Sequence, residues 1–219
     1  MRTVIAGGHG QIALRLSRLL TERGDQAVGL IRRPEHADEV RAAGAEPVPF
    51  DLETASVEQL ARVLGGADAV VFAAGAGAGS GAERKDTVDR GGAVLLADAA
   101  ETAGVRRYLM VSSMGADAHS ELDGDPVFRA YLRAKGAADD DVRTRSALDW
   151  TVLRPGSLRN DPGTGRVRLE PHTGRGSVPR DDVASVLAAL LAAPGTAGQT
   201  LELVAGEVPV PEAVAAFVD

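Results

Sequence analysis

MRTVIAGGHGQIA, residues Met1 to Ala13, is the stretch from which the fold is read. A short apolar run, Val4-Ile5-Ala6, has the character of a strand. It meets Gly7-Gly8-His9-Gly10 and passes at once into a segment with helical spacing. The first glycine allows a tight turn, Gly10 lets the main chain approach a ligand with no Cβ in the way, and Ala13 is small enough for helix to pack on strand. Amides left unpaired at the start of that helix form an anion site suited to a pyrophosphate. Counted from Gly7, the spacing Gly7-x-x-Gly10-x-x-Ala13 departs from the dinucleotide pattern G-x-G-x-x-G/A. A glycine turn often does no more than close a loop. Its place between a first strand and a first helix is what gives this one weight.

Outward from that turn, Ile12, Leu16, Leu19 and Leu20 recur at helical spacing until Gly24, and Gln26 to Ile31 (QAVGLI) is a second strand. The three pieces make a β-α-β unit, whose strands run parallel with a right-handed crossover. An NAD site carries an acid about 20 residues past the glycines, to hold the ribose 2′-hydroxyl. Here Arg32-Arg33-Pro34 stands instead. Two guanidiniums suit a 2′-phosphate and favour NADP(H) over NAD(H); the plain alternative is a solvated basic turn.

Glu46 to Phe50 (EPVPF) is a third strand, ending at Asp51-Leu52. Asp51 either accepts from an adenine amino group or caps the next helix, whose start Ser56, Glu58 and Gln59 mark weakly. Ala69 to Ala73 (AVVFA) is a fourth strand, apolar throughout and so buried on both faces. Gly77-x-Gly79-x-x-Ala82 matches the glycine pattern as text, yet no apolar helix follows it. Gly75 to Gly81 is therefore expected as a flexible loop, with Ala74 and Gly75 near the middle of a bound dinucleotide.

Val88 to Ala103 has helical spacing and stops at Gly104, and Tyr108 to Val111 is a fifth strand ending at Ser112-Ser113-Met114-Gly115. A helix from Val127 to about Arg145 carries Tyr131 and Lys135 one turn apart on one face. Trp150 to Leu153 is a sixth strand leading to Arg154-Pro155-Gly156. Residues 156–176 look loop-like, with one short strand at Val167 to Leu169. A helix from Asp181 to Ala193, a strand from Thr200 to Val204 and a short helix close the chain. Alternating strands and helices predict a Rossmann-like, doubly wound parallel sheet in one domain, 1–219, with 156–180 and 195–219 as a short substrate-side extension. Its ligands should sit at the carboxyl ends of the strands.

Tyr131-x-x-x-Lys135 behind Ser112-Ser113 is a second signal. A phenol with a pKa near 10 is too weakly acidic for proton transfer at neutral pH. An ammonium one turn away favours the phenolate, and a serine hydroxyl can hold a substrate carbonyl. On its own, Tyr-x-x-x-Lys is more often an ordinary amphipathic helix.

The 219-residue chain has 44% hydrophobic and 25% charged residues, an ordinary balance for one soluble domain. Aromatics are only 3%, so the core is built from Ala, Val and Leu. A net charge of −7 argues against nucleic-acid binding, and the absence of cysteine excludes disulfides and thiolate chemistry. No apolar run approaches the roughly 20 residues of a membrane span, and no signal peptide is evident; a cytoplasmic location without membrane attachment is expected. His36, His119 and His172 have no metal-ligand partners at useful spacing. Arg154, His172, Arg175 and Arg180 are candidates to line a substrate pocket and would suit an anionic ligand.

The sequence resembles the atypical short-chain dehydrogenase/reductases of the small NAD(P)-binding, NmrA-like type. The resemblance spans most of the chain and rests on AGGHGQIA, IRRP, FDL, VDRGGAVLLADAAETAGVRRYLMVSSMGA, YLRAKGAADDDVR, LDWTVLRPGSL and VPRDDVA. It implies that Gly7, His9, Gly10, Gln11 and Ile12 line the pyrophosphate and that Arg32 and Arg33 take the 2′-phosphate. Asp51 and Leu52 would meet the adenine, and Ala73, Ala74 and Gly75 the ribose. Ser112, Lys135, Pro155, Gly156 and Ser157 would surround the nicotinamide. Ser113, Tyr131 and Lys135 match the family's catalytic positions, and Asp89 stands where full reductases carry an Asn of the proton relay. The implied activity is NADPH-dependent reduction of a small carbonyl, quinone or flavin-like acceptor. The Asp89 departure keeps open a non-catalytic NADP(H) redox sensor with a protein partner, and a sugar-nucleotide epimerase or dehydratase is the third expectation.

Overall fold

In the computed structural model, which describes residues 1–77 and 79–218, the first strand β1 (Arg2–Ala6) is the middle of the structure. Val4, Ile5 and Ala6 have no solvent exposure, because the strand is flanked by β2 (Gln26–Ile31) on one side and β4 (Ala69–Phe72) on the other. Both neighbours run parallel to it, with Val4 opposite Val28 and Val70. Beyond β2 lies β3 (Glu46–Pro49), and beyond β4 lie β5 (Arg107–Val111), β6 (Asp149–Pro155) and β10 (Gln199–Ala205). β8 (Arg166–Glu170) and β11 (Val208–Pro209) complete a nine-stranded sheet of order β11-β8-β10-β6-β5-β4-β1-β2-β3. The chain builds outward from β1 to β3, then returns to the other side of β1. This reversal opens a crevice at the carboxyl ends of β1 and β4, where doubly wound sheets bind their ligands.

Helices cover both faces. α1 (Gln11–Glu22), α7 (Arg180–Leu191) and α8 (Val210–Ala215) bury Leu16, Leu20, Val183, Val186 and Val214 on one. On the other, α3 (Val57–Leu64), α5 (Gly92–Ala103) and α6 (Pro126–Thr144) bury Leu60, Leu64, Leu96 and Val142 around Phe72 and Tyr108. α2 (Ala37–Ala42) and α4 (Ala82–Arg84) are short connectors. At the amino end of the sheet, away from the crevice, the buried Arg107 guanidinium donates to Asp149 O, Thr151 Oγ1, Leu190 O and Thr196 Oγ1 at 2.7–2.9 Å. Burial pushes its pKa down to about 10, and the residue is a strut between β5, β6 and α7.

The parallel Rossmann-like sheet predicted from the sequence is present, with differences at its edge. β8 runs antiparallel to β10 and β11, so the sheet is mixed there. Residues 156–176 are not a loop with one strand. β7 (Ser157–Arg159) pairs with β9 (Ser177–Pro179) as a separate parallel ribbon, and β8 alternates exposed and buried side chains, with Val167 and Leu169 inward. The third and fourth strands each stop one residue short, at Pro49 and Phe72, although Phe50 N and Ala73 N still donate to Ile31 O and Ala6 O. α7 ends at Leu191 and not Ala193. Before α5 the helix is underwound into a π turn over Lys85–Gly91, in which Val88 and Asp89 are buried. Of residues 156–180, Gly156–Leu158, Arg175, Gly176 and Arg180 line a cavity at the carboxyl edge, while β8 is part of the sheet. Residues 195–218 instead supply β10, inserted between β6 and β8, with β11 and α8; Asp219 lies outside the described residues.

Candidate functional site

Three contiguous cavities form one trough along the carboxyl edge of the sheet. The first, of about 630 Å³, lies between the Gly7–Gly10 turn, the end of β2 and the Asp51–Glu53 segment. The second, of about 460 Å³, is lined by Ile12, Asp89, Ser112, Tyr131 and Lys135 and shares the wall Ala73–Gly77 with the first. The outermost, of about 880 Å³, holds Ser113, Met114, Pro155–Leu158, Arg175 and Arg180, and shares Ser112, Phe128, Tyr131 and Leu158 with the second.

The turn at one end is shaped by absent side chains. Gly7 has φ +80°, and a Cβ there would stand 2.6 Å from Ala74 Cα. A Cβ on Gly8 would stand 2.5 Å from Gly29 Cα, so this residue sets how closely the turn approaches β2. No side chain caps α1 and its first turn holds no acid. The opening amides thus face the crevice without a partner, as an anionic group requires.

At the end of β2, Arg32 is not free. Glu53 Oε2 accepts from Arg32 Nη1 at 3.2 Å and from Arg84 Nη2 at 2.8 Å, while its Oε1 accepts from Thr87 Oγ1 at 2.8 Å. Arg84 also donates to Ala76 O at 3.1 Å, which ties Gly75–Gly77 against the cavity. Among the described residues the Arg33 side chain makes no hydrogen bond or ion pair, although its carbonyl accepts from His36 N at 3.1 Å. Asp51 does not cap α3: Ser56 does, with Gln59 completing a reciprocal capping box, and Asp51 Oδ1 accepts from Glu53 N at 3.0 Å. His9 stacks on His36 with ring centroids 3.6 Å apart, and its Nε2 lies 3.2 Å from Glu39 Oε2.

In the middle cavity the Lys135 ammonium donates to Val111 O at 3.0 Å, lies 3.3 Å from Asp89 Oδ1 and sits 5.2 Å from the centre of the Phe72 ring. Asp89 Oδ2 accepts from Ala76 N at 3.1 Å, so the same carboxylate holds the loop. Tyr131 is half-buried, with Phe128 stacked at 6.0 Å and Lys85 Nζ 5.5 Å from its ring centre. Ser112 Oγ is buried and no hydrogen bond of acceptable geometry satisfies it among the described residues, although the fully buried Asp139 is its neighbour. Burial raises the Asp139 pKa, opposed by Arg154, whose guanidinium lies 2.8 Å away, by Ser112 and by Lys135. An unsatisfied hydroxyl and a lysine with a donor to spare fit a polar ligand in this cavity.

Nearly all the residues singled out from the sequence line the trough; the exceptions are instructive. Gln11 lines none of the three cavities, and its carbonyl accepts from Arg15. Ser113 Oγ donates to Met114 O at 3.2 Å and reaches only the outer cavity, whereas Ser112 reaches two. Arg154 is tied to Asp139, and the His172 side chain is 90% exposed, 4.0 Å from Glu202; neither lines any of these three cavities. His36, Glu53, Arg84 and Phe128 were not anticipated. Glu53, two residues past Asp51 and opposite an arginine pair, had the only local signal. Among the described residues no three His, Asp or Glu side chains converge as for a metal, and no helix is long and apolar enough to cross a membrane.

Comparison with known proteins follows the same line. The profile of the family described as NAD(P)H-binding matches residues 7–194. A Bacillus subtilis (strain 168) protein named "Uncharacterized sugar epimerase YhfK" is 36% identical over 215 residues, covering 98% of this chain and 99% of that protein. A solved Bacillus halodurans protein, "Putative NAD-dependent epimerase/dehydratase", is 37% identical with a TM-score of 0.90 and 99% coverage of both chains. ChuY of Escherichia coli O157:H7, solved as an "Anaerobillin Reductase", is 25% identical with a TM-score of 0.78, covering 95% of this chain and 98% of that one. The trough begins at an uncapped helix after a first-strand glycine turn, on a sheet shared with these proteins, and the chain belongs to the NAD(P)H-binding family.

Proposed function

We propose that the protein is an NADPH-dependent oxidoreductase that reduces a small carbonyl, quinone or flavin-like acceptor. The observation that carries this reading is that Tyr131 and Lys135 share the middle cavity, between the glycine-turn cavity and an open outer one. The bound nicotinamide supplies a hydride from its C4. The α1 amides hold the pyrophosphate, Arg32 and Arg33 the 2′-phosphate, and Asp51 with Leu52 flank the adenine. Lys135 directs two donors at Val111 O and Asp89 and keeps a third for the ribose. Tyr131 gives its phenolic proton to the acceptor oxygen as hydride reaches the adjoining carbon, and regains a proton from water in the outer cavity. Ser113 and Ser112 orient the acceptor.

Tyr131→Phe tests the reading. NADPH affinity should stay within about twofold while turnover falls ~100-fold or more, the usual scale of a lost general acid. Undiminished turnover removes Tyr131 from the mechanism. Two further readings have support of their own. The names of the two most alike relatives above favour an epimerase, which would return its nucleotide unchanged each cycle instead of consuming NADPH. The Asp89 carboxylate against Lys135 favours a redox sensor, because the ammonium is already engaged by a buried counter-charge. A sensor predicts a protein partner whose binding shifts with the NADP+/NADPH ratio and no steady turnover.

A further inference from the structure

The outer cavity has a chemical character that the nicotinamide nucleotide does not explain. The chain carries 31 acidic residues against 24 Lys and Arg, yet among the described residues no Asp or Glu lines this cavity. Its charged lining is Arg175, from the segment between β8 and β9, and Arg180, the first residue of α7. Arg180 Nη1 donates to Asn160 Oδ1 at 2.8 Å, which fixes the guanidinium and leaves its other donors available. Arg175 makes no hydrogen bond or ion pair among the described residues. Neither is needed by the nucleotide's own phosphates, because the anion-binding turn and the Arg32-Arg33 pair lie at the opposite end of the trough, beyond the middle cavity.

Beside the arginines the lining combines Ser112, Ser113, Ser120 and Ser157 with large apolar side chains. Leu122, Phe128 and Leu158 stand at the mouth and are 43%, 47% and 37% exposed, unusually open for large apolar side chains. Phe128 and Leu158 also line the middle cavity, so an occupant on this apolar rim reaches Tyr131. A cavity that presents guanidiniums with no carboxylate in its lining, together with large exposed apolar side chains, selects an amphipathic ligand.

We propose that the outer cavity binds organic acids: a flat or extended apolar body, lying on Phe128 and Leu158, that carries a carboxylate gripped by Arg175 and Arg180. This names the acceptor class for the oxidoreductase reading and rests on that reading for its catalytic meaning, though not for the binding itself.

The test is isothermal titration of the full chain, with and without saturating NADP+, using 2-naphthoate and the matched neutral 2-naphthamide. Naphthoate should bind at least tenfold more tightly than the amide. Arg175→Gln with Arg180→Gln should reduce that preference to twofold or less, with NADP+ affinity unchanged. Arg175→Gln alone, at an exposed position, should keep the melting temperature and lose part of the preference, which guards against misfolding through the lost Arg180–Asn160 contact. Equal affinity for the pair, no binding of either, or a preference that survives in the double variant overturns the proposal. Absence of NADP+ uptake would overturn the oxidoreductase reading instead, and the titrations without nucleotide would still decide this one.

Discussion

The Lys135 ammonium lies 3.3 Å from the Asp89 carboxylate, with side chains only 4% and 1% exposed. The two come from different elements, α6 and the π turn ahead of α5, and Asp89 also anchors Gly75–Gly77 through Ala76 N. One contact therefore joins the candidate catalytic helix to the loop roofing the trough. Breaking a buried pair by removing one partner costs about 3–5 kcal/mol, because the other charge is left unpaired. Asp89→Ala and Lys135→Met should each lower urea stability by that order. The double variant should lose far less than their sum, a coupling of about 1 kcal/mol or more. Strict additivity would mean that the two groups do not act as a pair.

Glu53 bears on cofactor choice. Its carboxylate already occupies Arg32 and Arg84, where a 2′-phosphate would have to be received. Like charges there oppose each other at partly exposed positions, worth on the order of 1 kcal/mol. Glu53→Gln keeps hydrogen bonds to Thr87 and removes the charge. NADP+ affinity should rise about three- to tenfold, with NAD+ affinity changed less than about twofold. Unchanged or weaker NADP+ binding by titration calorimetry would show that the phosphate is not placed beside Glu53.

The turn itself can be tested by contrast. Gly8→Ala sets a Cβ against main-chain atoms of Gly29 that have no side-chain freedom to yield, and should destabilise by about 2–3 kcal/mol and abolish NADP+ uptake. Gly81→Ala meets nothing within 4 Å and should stay within about 0.5 kcal/mol of the parent. Equal melting temperatures for the two variants would refute the claim that close approach of the turn to β2 matters.

The fold and the turn were legible in the sequence because local rules govern them. Continuous apolar runs such as AVVF mark buried parallel strands, and Gly24 and Gly104 end helices at predicted places. What stayed hidden depends on contacts far apart in the chain. Arg154 carries the same charge as Arg175, and only the position of Asp139 on α6 shows that one is tied to that carboxylate while the other lines the outer cavity. Glu53 and Arg84 are 31 residues apart and meet only when β4 closes against β1. The serines are adjacent in sequence just past β5, yet Ser112 is buried and reaches two cavities while Ser113 reaches only the outer one. β8 was seen as a short strand, but its antiparallel partners lie more than 30 residues on, and its flanks rich in Gly, Pro and Arg concealed the ribbon around it.

Asp139 gives a prediction whose sign follows from burial. The groups facing it are Arg154 on β6, Ser112 after β5 and Lys135 on its own helix; all three favour the carboxylate, but desolvation outweighs them and the pKa is raised. In the unfolded chain an aspartate loses its proton near pH ~3.9. Above that pH the unfolded state is ionised while the folded state still holds the proton, so the folded state binds more protons and stability falls as pH rises, until the raised folded pKa is passed. Asp139→Asn removes this titration alone. The stability of the parent minus that of Asp139→Asn, from urea unfolding at intervals between pH 3.5 and 7, should therefore decline from about pH 4 upward and then level off. A difference that climbs with pH across this window would mean that Arg154 and Lys135, not burial, set the protonation of Asp139.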